Sequence, residues 1–246
     1  IYLNAGANLT YFTGTKWYAS ERMVGAILPA SGEIEYIAPA FEESTLTGFM
    51  LIEGKVNCWE EHESPYQLFV DVLARMGIAQ DAAAPPRVGI CESAAFFIYD
   101  GIRPLAPGYA LENARAVTAY CRSRKSLAEI ALIQRVMDMT LAVHVATASM
   151  LYEGITTVEV EEFIQRAHRK VGAPRSYFCI VLFGEATAYP HGVNYVQTLK
   201  AGDTVLIDTG CQVMNYISDI TRTYVFGAIS ARQRSVWNSE KAAQAA

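Results

Sequence analysis

The stretch Val205-Leu-Ile-Asp208-Thr-Gly-Cys-Gln-Val-Met-Asn-Tyr-Ile-Ser-Asp219-Ile-Thr-Arg-Thr-Tyr224 constrains this chain more than any other. It reads as two apolar, β-branched runs joined by a short turn, each run carrying one aspartate. With Val213-Met214 as a two-residue loop, residue 212 pairs with 215, residue 211 with 216, and Asp208 falls opposite Asp219. Directly opposed residues share one sheet face, with Cβ atoms about 4.5–5.5 Å apart. The neighbours Leu206, Ile207, Ile217 and Ile220 are apolar, so the two carboxylates would meet in a partly buried place. Close buried anions are costly unless they share a proton or hold a cation between them. Oxygen-only ligation suits Mg²⁺, Ca²⁺ or Mn²⁺, and other ions become suitable if a histidine joins. Spacing alone leaves a second option, in which one aspartate caps a turn or points to solvent. The loop also lacks the Gly-rich signature of a type I′ hairpin turn.

Composition narrows the function classes. The chain has 246 residues, 52% of them apolar and 18% charged, with a net charge of −5. That apolar content excludes a disordered tail, and length allows one or two domains with a sizeable core. No basic excess points to nucleic acid or to an anionic membrane surface. The five cysteines are scattered without a CxxC spacing, which argues against a disulfide framework or a zinc knuckle and fits a reducing, cytoplasmic setting. No uninterrupted apolar run approaches the roughly 18 residues of a membrane span, and no signal-peptide pattern opens the chain. The sequence starts at Ile1 and stops in Ala-rich, helix-like sequence, so it reads as a piece of a longer protein.

Two textures divide the chain, giving an expected boundary at 121/122. Residues 1–121 alternate strand-like and helix-like segments: Met23–Leu28, Ile34–Ala38 and Arg87–Cys91 as strands, Leu68–Met76 as a helix capped by Gly77. This reads as a small α/β domain without visible chemistry. The basic connector Arg122, Arg124, Lys125 leads into Ser126-Leu-Ala-Glu129, a capping box that starts a long helix. Its apolar stripe is expected at Ile130, Ile133, Met137, Leu141 and Leu151. Thr156 with Glu159 opens a second helix, running to about Val171. Strands are expected at Tyr177–Phe183, Thr204–Cys211 and Tyr216–Phe226, and a last helix near Ala231.

Of the four histidines, His62 lies in an acidic loop, and His144 and His168 fall inside expected helices, where packing or surface roles are the simpler account. His191 follows Tyr189-Pro190 and precedes Gly192, in a loop where a proton-handling or substrate-binding role is plausible. Neither GxSxG, a Walker loop, GxGxxG nor HExxH is present.

Three stretches resemble the pita-bread metallopeptidases, the family of methionine aminopeptidase, aminopeptidase P and prolidase. They are Arg124-Lys125-Ser126-Leu-Ala-Glu129-Ile130, Tyr177 through Pro190-His191-Gly192, and Asp208-Thr-Gly210 with Ser218-Asp219-Ile-Thr221-Arg-Thr-Tyr224. Asn8-Leu-Thr-Tyr-Phe-Thr-Gly14 and Ser20-Glu21-Arg22 resemble the creatinase-type domain that precedes the catalytic domain in the proline-peptidase branch. The resemblance implies an α/β chain: a creatinase-type N-terminal domain, then the first half of a pita-bread catalytic domain.

By that resemblance Asp208 and Asp219 match two metal ligands, and His191 the histidine that steadies substrate and intermediate. Tyr177 matches a tyrosine beside the metal centre, and Thr221 a threonine that supports a ligand. The family holds two divalent ions (Mn²⁺, Zn²⁺ or Co²⁺) with two Asp, one His and two Glu. The His and both Glu belong to a second half that this sequence does not include. The implied reaction is metal-dependent hydrolysis of Xaa-Pro peptide bonds, as a dipeptidase or aminopeptidase, on proline-containing peptides and in a homodimer. The alternatives are a non-catalytic pita-bread protein that binds a peptide or partner, and a creatinase-like amidinohydrolase.

Overall fold

The computed structural model describes all residues, Ile1–Ala246. Two compact units divide it, Ile1–Arg124 and Lys125–Ala246. The division follows the end of the connector helix Arg115–Ser123, which runs through the position expected from sequence.

The first unit contains β1 (Tyr2–Asn4), α1 (Ala7–Thr13), β2 (Gly25–Ile27), β3 (Glu35–Pro39), α2 (Glu43–Phe49), β4 (Lys55–Trp59), α3 (Pro65–Arg75), β5 (Arg87–Ile90), α4 (Phe96–Ile102), β6 (Ala110–Asn113) and α5 (Arg115–Ser123). Its six-stranded sheet has the order β4-β3-β2-β1-β5-β6. The β1–β2 and β2–β3 pairs are antiparallel; β3–β4, β1–β5 and β5–β6 are parallel. Alternating side chains feed two cores. Tyr2, Ile27 and Ile37 pack with Phe69, Leu73, Ile98 and Ile102 from α3 and α4. Leu3, Ala26 and Tyr36 pack on the other face with Leu9 and Leu46 from α1 and α2. Ser64 caps α3 by accepting from the Gln67 amide, and Pro65 occupies the first turn, where its missing N–H costs nothing.

The second unit contains α6 (Leu127–Met150), α7 (Thr157–Lys170), β7 (Ser176–Phe183), β8 (Thr204–Val213), β9 (Tyr216–Ile217), β10 (Ile220–Val225) and α8 (Ala231–Ala245). Both sequence-read capping boxes close. The Glu129 amide donates to Ser126 Oγ at 3.3 Å while the Ser126 amide donates to the Glu129 carboxylate at 2.7 Å. Thr156 and Glu159 repeat the arrangement at the start of α7. The sheet runs β10-β8-β7, all antiparallel, with β9 also paired to β8. Val181 and Phe183 of β7 and Val205 and Ile207 of β8 pack against Val143 of α6 and Val160 and Ile164 of α7. Burying each such side chain contributes about 1.5–3 kcal/mol. The alternate positions, Phe178, Ile180, Leu206 and Asp208, therefore belong to the opposite face.

Two expectations are corrected here. The buried stripe of α6 is Val136, Met139, Thr140, Val143, His144 and Thr147, whereas Leu127, Ile130 and Leu141 are exposed. This helix is apolar around much of its circumference, so its periodicity does not single out one face. By length and composition it could cross a membrane, yet Arg135 and Asp138 interrupt it and the Val136–Thr147 face packs on the sheet. Second, the strand expected over Tyr216–Phe226 is broken at Ser218–Asp219 into β9 and β10.

Candidate metal centre

The β8–β9 turn sits one residue later than spacing suggested. Val213 pairs with Tyr216 and Gln212 with Ile217, which leaves Met214-Asn215 as the loop. Both loop residues are left-handed, with φ of 49° and 70°. That is the backbone of a type I′ turn, whose twist matches paired strands; Asn tolerates it and Met does so at a cost. The partner of Asp208 is consequently Thr221, not Asp219. The register moves by two residues, and a two-residue shift preserves the face. Alternation carried through the break would leave Asp208 and Asp219 on one side of the sheet as diagonal neighbours, about 7–8 Å apart.

Local geometry at Asp219 depends on Gly210. A β-carbon on Gly210 would lie 1.7 Å from the Ser218 carbonyl oxygen and 3.1 Å from the Phe178 ring. Only glycine admits a backbone that close. The Ser218 amide still donates to the Cys211 carbonyl at 3.0 Å, but the Cys211 amide donates to Ser218 Oγ at 2.8 Å. The serine hydroxyl thus does the work of a ladder carbonyl, and the ladder lapses at Asp219, which is exposed.

Asp208 is the informative side chain. It is half-buried, and its Oδ1 is fully enclosed without a hydrogen-bond partner. Thr221, its cross-strand neighbour, does not supply one. An anionic oxygen in that condition carries an uncompensated desolvation cost, which a bound cation would offset. The donor set at this face is oxygen-only and acidic, which suits a hard or borderline divalent ion. This chain contains no cluster of three or more His, Cys, Asp or Glu side chains able to hold a metal, so a cation at this face could take at most the two aspartates from these residues.

Thr221 stands directly opposite Asp208, whereas Tyr177 and His191 belong to other stretches of the unit. Tyr177 occupies the bulge where β7 slips between Ser176 and Phe178, and it is exposed against the edge of the Phe178 ring. Its strand neighbours face Gly210 and Cys211 rather than Asp208. His191 is exposed in the loop after Pro190 and lines a cleft of about 310 Å³. That cleft runs between the α7 residues Thr157, Val158 and Glu161 and the outer edge of β7 at Cys179–Leu182. Neither aspartate, nor Tyr177, nor Thr221 lines it. Burial raises the Glu161 carboxyl above its ordinary range and pushes the Cys179 thiol up to about 12, so that thiol stays protonated and is no nucleophile.

Sequence reasoning missed the groups beneath Asp219. His144 and His168 are buried, yet both are hydrogen-bonded beneath the hairpin rather than merely packed. Desolvation lowers both imidazoles, His168 to about 4, so both are neutral near pH 7. Gly210 inside a strand was the one local signal of a close backbone approach.

Residues 131–246 match metallopeptidase family M24, and residues 1–124 match the creatinase/prolidase N-terminal domain. YkvY of Bacillus subtilis, which carries a dipeptidase name, is 29% identical over 98% of this chain and 67% of its own length. A peptidase of Schizosaccharomyces pombe is 32% identical over 98% of this chain and 53% of its own length. Among solved structures, dipeptidase PepE from Mycobacterium ulcerans superimposes with a TM-score of 0.81 at 26% identity, covering 94% of this chain and 61% of that one. The prolidase from Thermococcus sibiricus gives a TM-score of 0.81 at 25% identity, covering 99% of this chain and 65% of that one. The chain thus spans between about half and two thirds of the length of the curated relatives it matches.

Proposed function

The chain belongs to metallopeptidase family M24, its pita-bread part preceded by a creatinase/prolidase N-terminal domain, and on that premise we propose that the whole protein hydrolyses Xaa-Pro peptide bonds. The observation that supports this reading is the enclosed, unpartnered Oδ1 of Asp208, on the sheet face to which strand alternation would also bring Asp219. Asp208 and Asp219 would hold divalent metal, with Mn²⁺ the first candidate and Zn²⁺ or Co²⁺ next; a pair of such ions, when bound, would supply an acidified water and a polarised scissile carbonyl. The remaining ligands, a histidine and two glutamates, would come from sequence outside residues 1–246.

The chain's own contribution is to bind and orient. Asp208, held in the middle of β8, is fixed by strand pairing on both sides. By the family resemblance His191 would donate a hydrogen bond to the developing oxyanion, although the cleft it lines includes neither aspartate. Tyr177, exposed at the bulge of β7, would be the phenol that the family resemblance puts beside the metal centre. A homodimer in the cytoplasm is the setting proposed for it. A peptide-binding protein without catalysis is the second reading, and the lone Oδ1 favours it less, because a binding module gains nothing from an enclosed bare carboxylate.

The test is metal content and hydrolysis of Xaa-Pro dipeptides and longer Xaa-Pro peptides by the full-length protein, with Asp219→Asn alongside. Mn²⁺-dependent turnover that Asp219→Asn removes supports the peptidase. Full turnover by Asp219→Asn, or a purified protein that neither binds metal nor cleaves, overturns it.

A further inference from the structure

Asp219 lies in the two-residue interruption between β9 and β10, exposed and outside the ladder. Such a position is ordinarily the least fixed part of a hairpin. Here helix α6 grips the chain on both sides of it. On one side the Ser218 hydroxyl lies 2.7 Å from Thr140 Oγ1. On the other, His144 Nε2 donates to the Ile220 carbonyl at 2.9 Å. Thr140 and His144 are one helical turn apart and so share a face of α6.

A second tier stands behind the first. Thr140 Oγ1 lies 3.2 Å from His168 Nε2, and His168 Nδ1 lies 2.8 Å from Ser176 Oγ, which ties α6, α7 and β7 into one buried chain. Thr140, His168 and Ser218 are 0% exposed, Ser176 4% and His144 7%. Burying hydroxyls and imidazoles costs free energy that only their hydrogen bonds offset. Apolar side chains would pack this helix on the sheet without that cost. The polar groups converge on the residues flanking Asp219.

We propose that Thr140 and His144 are positioning residues: they clamp the backbone at Ser218 and Ile220 and thereby fix where the Asp219 carboxylate is presented. The role rests on reading Asp219 as a metal ligand. His144 carries its proton on Nε2 in this arrangement, since a carbonyl can only accept. His168 orients Thr140 in turn, so the clamp reaches Asp219 from three elements of the fold.

The test compares Thr140→Val, Thr140→Ser and Val136→Ala in the full-length protein, by amide hydrogen exchange and by Mn²⁺ affinity. Val136 is 0% exposed on the same helix face, and its side chain bonds to nothing. It therefore reports the effect of loosening the packing of α6, on Cys211 among others, without removing a hydrogen bond of the clamp. Thr140→Val is expected to speed exchange at the Ser218 and Ile220 amides and to weaken Mn²⁺ binding about tenfold. Thr140→Ser should restore both readouts, and Val136→Ala should lower thermal stability while moving neither. The clamp is overturned if Val136→Ala moves both readouts as far as Thr140→Val, or if Thr140→Val moves neither. Should Thr140→Val fail to fold, His144→Gln carries the same two readouts with the same expectations. A wild-type protein that binds no Mn²⁺ would sink the metal reading, and exchange at the Ser218 and Ile220 amides would still decide the clamp.

Discussion

Gly210 and Ser218 share one small volume: the Ser218 carbonyl oxygen lies 1.7 Å from where a β-carbon on residue 210 would stand. No rotamer change can relieve such a contact, because both partners are backbone. Gly210→Ala must push β9 and β10 away from β8, breaking the Cys211–Ser218 bonds and displacing Asp219. A loss of about 3–5 kcal/mol in stability is expected, at the severe end for single substitutions. Urea denaturation of the full-length protein measures it; a loss below about 1 kcal/mol would show that the strands separate freely.

Asp208→Asn should separate stability from binding. In metal-free protein the substitution removes an enclosed charge whose Oδ1 has no partner, so the melting temperature is expected to hold or rise. With Mn²⁺ present the order reverses, since the wild type gains from the ion and the variant gains little. Thermal melts with and without Mn²⁺ read both signs. A metal-free variant that melts well below wild type would mean that Asp208 has a structural partner.

The Met214-Asn215 turn is suboptimal. Met214 takes a φ of 49° without the compensation that Asn or Gly provides. Changing the pair to Asn-Gly should stabilise the protein by about 0.5–1 kcal/mol. The denaturation midpoint in urea checks this, and an unchanged or lower midpoint would refute it.

His168 gives the protein an acid-side weakness. Its folded pKa is depressed to about 4 from an ordinary value of 6.5, so the unfolded chain binds the extra proton between those values. Stability from the neutral, buried ring is therefore complete above pH 6.5 and drains as pH falls toward 4. From pH 7.5 to pH 5 this group alone should cost about 2 kcal/mol. His168→Gln should start less stable at pH 7.5 and lose less on acidification. Chemical denaturation at the two pH values measures the difference in slope; equal slopes for both proteins would exclude the assignment.

What the sequence determined about this protein is what neighbouring residues decide among themselves. Ser126 with Glu129 and Thr156 with Glu159 start their helices because each box closes within one turn. Alternation in Thr204–Val213 set which side chains of β8 face α6 and α7, although the register about the turn was two residues off and Asp208 pairs with Thr221. The motifs around Asp208 and Asp219 sufficed for the family. Tertiary structure decided the rest. The face of α6 that is buried could not be read from a helix apolar on several sides, because only the sheet packed against it selects one. The break at Ser218–Asp219 arises where a carbonyl meets Gly210 and a hydroxyl meets Thr140, partners 8 and 78 residues away along the chain. His144 and His168 looked like packing residues because the atoms that give them a purpose belong to other elements. Local pattern specifies which segments form and which way they face; contacts between distant segments specify where a single carboxylate is held.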